Sequence, residues 1–80
     1  MKIYGYSNEV DTDQGPLTMS EVTFLGDPAA LRATAQFLLQ MADEVEKNAN
    51  FEHRHFRDTW DDWQEEFTDV IVCNASVYES

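Results

Sequence analysis

His53 and His55 are the only two histidines of the chain, and one residue separates them. On an extended strand both imidazoles project from the same face, within reach of a single metal ion. Asp58, or a carboxylate beyond it, is the third ligand that such a site would use. The pattern lacks a strong fourth ligand, and an acidic chain supplies hydrogen-bond partners to imidazoles without any metal. The expected role of His53 and His55 is therefore ordinary hydrogen bonding, with the two kept as weak metal candidates and no cofactor expected. Cys73, the one cysteine, ends the apolar run Val70-Ile71-Val72-Cys73. It reads as a small packed side chain, because a reactive thiolate needs an electropositive setting and this region is acidic. Asp11-x-Asp13-x-Gly15 opens like a calcium loop. Pro16 then stands where that loop needs Gly, and Val22 where it needs Glu. Glycines 5, 15 and 26 lie too far apart to cradle a phosphate. Carboxylate pairs of the kind that cleave glycosides are present by type. A chain of 80 residues with one helix leaves little room for a substrate cleft, so no enzymatic activity is expected.

The acids form a different kind of constellation. Residues 58–80 hold seven acids and neither Lys nor Arg. Trp60, Trp63 and Phe67 are interleaved with Asp58, Asp61, Asp62, Glu65 and Glu66. Rings beside unpaired carboxylates suit a protein interface, where the rings fill pockets and the carboxylates meet Arg and Lys of a basic partner. The same residues also suit a plain structural role, with the tryptophans capping the core and the acids facing water. One ring can serve each role. The expected partner-binding residues are Asp58, Trp60, Asp61, Asp62, Trp63, Glu65 and Glu66.

The charge balance narrows the partner. Sixteen acids against five Lys and Arg give a net charge of -11. Nucleic acids and anionic membrane surfaces require a basic footprint, so neither is an expected partner. With 42% hydrophobic residues the chain is too apolar for a disordered acidic tail. A single cysteine excludes an internal disulfide framework and fits a reducing, cytoplasmic setting. The opening Met1-Lys2-Ile3-Tyr4-Gly5-Tyr6-Ser7 has no apolar stretch of signal-peptide length.

Residues 1–80 are expected to form a single domain, because a chain of this length supports one core at most. Residues 2–7 alternate as a strand, with Ile3 and Gly5 on one face and Tyr4 and Tyr6 on the other. Residues 8–16 are a loop by composition. A second strand over 18–25 ends at Gly26, and Asp27-Pro28 marks a helix start, with Asp27 capping the first turn. The helix is expected over 28–49. Its apolar stripe is Leu31, Ala35, Leu38, Met41, Ala42 and Val45, with Leu38 buried against the sheet and Phe37 on its flank. Asn48 and Asn50 are candidates for a left-handed end. Strands over 51–57 and 69–74 complete the set, with a connection between them and a frayed tail over 75–80. The expected fold is α+β: a small antiparallel sheet in the order β-β-α-β-β, with one long helix packed on one face. The strands carry apolar residues on both faces. The second face must be covered by the Trp-bearing connection, a second copy of the chain or another protein.

These segments together resemble a family of small bacterial immunity proteins. The resemblance rests on Lys2-Ile3-Tyr4-Gly5-Tyr6-Ser7, Glu21-Val22-Thr23, Pro28-x-x-Leu31-Arg32 with Phe37-Leu38-Leu39 and Ala42-Asp43-Glu44, His53-x-His55-x-x-Asp58 with the following tryptophans, and Asp69-Val70-Ile71-Val72. It spans residues 2–73. The family is immunity protein family 32 of polymorphic toxin systems. The resemblance implies an α+β fold, a toxin domain as partner, inhibition by occlusion and no catalytic residues. An acidic chain suits a basic toxin. The alternative is a generic acidic interaction module, or a homodimer through the open sheet face around Tyr4 and Tyr6.

Overall fold

The computed structural model describes residues 1–7 and 17–78. The expected loop over 8–16, with the calcium-like Asp11-x-Asp13, lies outside the described residues, as do residues 79–80. The elements are β1 (Lys2–Ser7), β2 (Met19–Leu25), α1 (Pro28–Lys47), β3 (His53–His55), a 3-10 turn at Phe56–Asp58, β4 (Ile71–Cys73) and α2 (Ala75–Tyr78).

β1 and β2 pair antiparallel, with Ile3 opposite Phe24, Gly5 opposite Val22 and Tyr4 opposite Thr23. The register slips between Tyr6 and Ser7. The end of the Met19 side chain reaches over Gly5, into space that a Cβ there would take. β3 and β4 form a second antiparallel pair, with His53 opposite Cys73 and His55 opposite Ile71. Two two-stranded sheets thus replace the single expected sheet. They are stitched together at the start of the chain. Thr68 N–H donates to the Met1 carbonyl at 3.0 Å, Ile3 N–H to Thr68 Oγ1 at 3.1 Å and Lys2 Nζ to the Glu66 carbonyl at 2.7 Å. Segment 66–68 therefore lies beside β1.

The two late strands are shorter than alternation suggests, for local reasons. After His55 the chain coils into the 3-10 turn, closed by Thr59 N–H on the Phe56 carbonyl at 2.9 Å. The turn carries the buried Phe56 ring onto Phe37. Before β4, the Asp69 carboxylate takes the backbone N–H groups of Arg57 and Val70. After β4, the buried Asn74 bonds the Phe51 carbonyl through Nδ2 and receives Ser76 N–H on Oδ1. That second bond caps α2, so residues 75–78 form a helical turn where a frayed tail was expected.

α1 starts as expected, with Asp27 accepting from Ala30 N–H at 2.8 Å and Pro28 in the first turn. It ends at Lys47. Asn48 is extended (φ -132°, ψ 101°) rather than left-handed, and its N–H still reaches the Glu44 carbonyl at 3.0 Å.

The larger correction concerns which side of α1 is buried. The buried residues are Ala30, Thr34, Phe37 and Met41, while Leu31, Ala35, Leu38 and Ala42 are exposed. At about 100° per residue, the buried face is turned by roughly 80° from the expected stripe. The apolar arc of α1 is wide enough for either choice. Aromatic stacking decides it, because Phe37 lies on Phe56 at 5.0 Å between ring centroids. Met1, Phe51 and Phe56 join this face to form the core, with Ile3, Ala33, Val45, Val70 and Val72 at its edge. The Thr34 hydroxyl is buried but satisfied, donating to the Ala30 carbonyl at 2.8 Å. Tyr4 and Tyr6 remain exposed, so the Trp-bearing connection does not cover that face of the hairpin.

Candidate functional site

The segment from Phe56 to Val70 is built around a run of aromatic rings. Phe56 stacks on Trp60 at 5.3 Å with the planes 3° apart, and Trp60 stacks on Phe67 at 5.8 Å. Trp63 meets Phe67 edge-on at 6.2 Å. Short turns fold the chain so that these rings point inward, with Trp63 N–H on the Trp60 carbonyl and Phe67 N–H on the Gln64 carbonyl. Trp60 and Trp63 are half-buried and pack against the core cluster. Trp63 Nε1 is buried without a hydrogen-bond partner among the described residues.

The carboxylates point the other way. Asp58, Asp61, Asp62, Glu65 and Glu66 are all exposed. Arg57 Nε lies 3.9 Å from Asp58 and 3.7 Å from Asp69, so this one guanidinium serves two acids. Among the described residues, Asp61, Asp62, Glu65 and Glu66 have no ion-pair partner. The Lys2 ammonium donates to the Glu66 backbone carbonyl rather than pairing with a carboxylate of the segment. The aromatic run thus holds a cluster of uncompensated negative charge on a packed base.

Trp60 is only half-buried, and its exposed part lies beside this charge. A depression of about 280 Å³ is lined by Met1, Ala29, Ala30, Trp60, Phe67 and Gln64, with Asp27 and Asp62 on it as well. An apolar floor with carboxylates beside it accepts the stem and charged head of a lysine or arginine. The structure therefore brings Trp60 and Asp62 together at one concavity, where Trp60 is both core cap and accessible surface. Asp27 belongs to the same depression and was missed by the sequence reading. Its part in capping α1 was the only signal attached to it.

Asp69 was also overlooked as a site residue. His55 Nδ1 lies 2.7 Å from Asp69 Oδ2, and Asp69 Oδ1 accepts from Arg57 N–H at 3.0 Å and Val70 N–H at 2.9 Å. Burial pushes the Asp69 carboxyl up, but the hydrogen bonds from His55, Arg57 and Val70 and the His55 charge outweigh it. The net result holds Asp69 below its ordinary value. His53 and His55 share one face, as strand geometry requires, with ring centroids 5.5 Å apart. The acid beside His55 is Asp69, not Asp58. Among the described residues, no group of three His, Cys, Asp or Glu side chains is placed to hold a metal ion. Cys73 is exposed opposite His53, not packed as expected. No helix is long and apolar enough to cross a membrane among the described residues.

No curated protein and no solved structure matched this chain. A family model described as Immunity protein 32 matches residues 21–75. The match runs from β2 through β4 and includes α1, the histidine pair and the whole aromatic and acidic segment; the Lys2–Ser7 part of the resemblance lies outside it. With more than half its residues matched, the chain belongs to the Immunity protein 32 family.

Proposed function

We propose that this protein blocks a basic toxin domain by occlusion, through the surface formed by Asp58, Trp60, Asp61, Asp62, Trp63, Glu65 and Glu66, and performs no chemistry itself. The family supports a protein partner. The observation that carries the choice of surface is the group Asp61, Asp62, Glu65 and Glu66, exposed without a counter-ion among the described residues. Four like charges in one segment repel one another, and a cationic partner removes that repulsion while it docks. The Trp60 concavity with Asp62 supplies a seat for one basic side chain. Trp63 contributes through the backbone of this segment, which its ring anchors to Phe67. The protein acts in the cytoplasm, where a producing cell would need protection.

The partner is sought by pull-down from the native cell with this chain as bait, and its association is then followed at several salt concentrations. The expected on-rate falls steeply with salt, and Asp61→Lys with Asp62→Lys lowers it by about tenfold or more while the melting temperature holds. An on-rate indifferent to both salt and the lysine pair refutes this surface.

A further inference from the structure

α1 separates two flanks of opposite character. On one flank Ala33, Gln36 and Gln40 border Phe56, Thr59 and Trp60. On the other, Leu31, Thr34, Ala35 and Leu38 form a groove with Phe24 of β2, of about 200 Å³. The groove continues along the hairpin, because Val22 shares a face with Phe24 and the Met19 side chain reaches over Gly5 on that face. Among the described residues, β2 has β1 as its only strand neighbour, and all seven of its residues are exposed. A seven-residue edge bearing one charge, Glu21, and no Pro is an open template for another strand.

We propose that this edge and groove form a two-fold interface in which β2 pairs antiparallel with β2 of a second copy of the chain. Charge selects that occupant. The chain carries -11, yet residues 17–42 hold only Glu21, Asp27 and Arg32, a net of -1. Two such anionic molecules can approach closely only through the side that carries almost none of their charge. A cationic partner, by contrast, is drawn to the acidic segment on the other flank of α1. Symmetry then fixes the arrangement. Centring the axis on Val22 sets Glu21 of each copy opposite Thr23 of the other, so no two acids meet. Antiparallel pairing through one edge keeps both helices on the same face of the joined sheet. The Leu31, Ala35 and Leu38 flanks then turn toward the axis. Area agrees. Met19, Val22, Phe24, Leu31 and Leu38 are each 42–47% exposed. At roughly 200 Å² of full surface each, they offer on the order of 450 Å² per copy, and the strand backbone adds to it toward the about 800 Å² per partner of a stable dimer. The surface differs from the hairpin face bearing Tyr4 and Tyr6, which stays open.

Sedimentation equilibrium on the full chain tests this. At about 100 µM the mass approaches twice the 9.2 kDa of one chain, and added salt does not weaken association. Val22→Lys sets two like charges face to face on the axis, and Leu38→Lys charges the groove. Each raises the dissociation constant at least tenfold, while circular dichroism and melting of the dilute protein stay close to the parent. Asp61→Lys with Asp62→Lys, on the far flank, serves as the control and does not weaken the dimer. A parent that remains monomeric at this concentration overturns the proposal. So does a dimer indifferent to Val22→Lys and Leu38→Lys. Loss of toxin binding by Leu38→Lys in a monomeric chain also overturns it and hands the groove to the toxin.

Discussion

Phe37 and Leu38 are neighbours on α1 with opposite fates, and exchanging the expected roles gives a sharp test. Phe37 is 3% exposed and stacks on Phe56 at 5.0 Å; Leu38 is 44% exposed. Phe37→Ala removes a buried ring and leaves a cavity, which costs about 3–5 kcal/mol, ring stacking included. A domain of this size has a margin on the order of 5 kcal/mol, so most of the fold is lost. Leu38→Ala removes about three methylene equivalents at roughly 0.8 kcal/mol each, from a site where little more than half is out of water. No enclosed cavity results, so the cost is about 1 kcal/mol. Urea denaturation followed by circular dichroism reads both variants. The chain is kept at low micromolar concentration so that self-association does not bury Leu38. The expected midpoint of Phe37→Ala falls far below that of Leu38→Ala. Equal midpoints, or Leu38→Ala the lower, would refute the observed face of α1 and restore the stripe centred on Leu38.

Two further outcomes follow from the site. Asp69 sits lower in the folded chain than its ordinary value of 3.8, so its stabilisation is present above that value and is lost as pH falls through the folded pKa. Asp69→Asn therefore melts below the parent at neutral pH, by roughly 1–3 kcal/mol for a charged hydrogen-bond acceptor; melting curves across acid pH show the gap closing below 3.8. Trp60→Ala breaks the stack between Phe56 and Phe67 and costs about 2–4 kcal/mol, read by thermal melting, with stability falling at least as far as affinity.

Local signals proved legible where one residue decides the outcome alone. Asp27-Pro28 fixes the start of α1, and alternation places β1 and β2 within a residue of their bounds. The face of α1 was not legible, because its apolar residues cover a wide arc and only the distant Phe56 selects among them. The late strands failed for a similar reason. Val-Ile-Val announces a strand, but Val70 N–H turns to the Asp69 side chain at one end, and at the other Asn74, whose own N–H still reaches the Glu52 carbonyl, turns the chain into α2 through its side chain. The acidic segment was visible in full as a charge run, whereas the inward direction of its tryptophans depends on Phe56, Phe67 and the intervening turns. His55 was expected to find an acid, and did. Which acid it found depends on β4 lying antiparallel to β3, a register that spacing alone does not encode.

The distribution of charge and apolar surface gives the two proposed contacts separate grounds. α1 carries more apolar residues than so small a core can cover, so burying Phe37 on the aromatic side leaves Leu31 and Leu38 over. The uncompensated acids lie on the same side as the aromatic run, where they discourage a second copy of this chain and attract a base. The leftover leucines lie on the β2 side, where nearly all charge is missing. Screening at physiological salt confines each charge to about 8 Å, less than the width of α1 with its side chains. The acidic segment of one copy therefore exerts little repulsion across the helix on a partner seated at β2. Substitutions at Asp61 and Asp62 should accordingly change toxin capture and leave self-association alone, while substitutions at Val22 and Leu38 do the reverse. Such independence is what sites with no shared residues produce. A lysine pair that altered both contacts in equal measure would show instead that a single surface serves both.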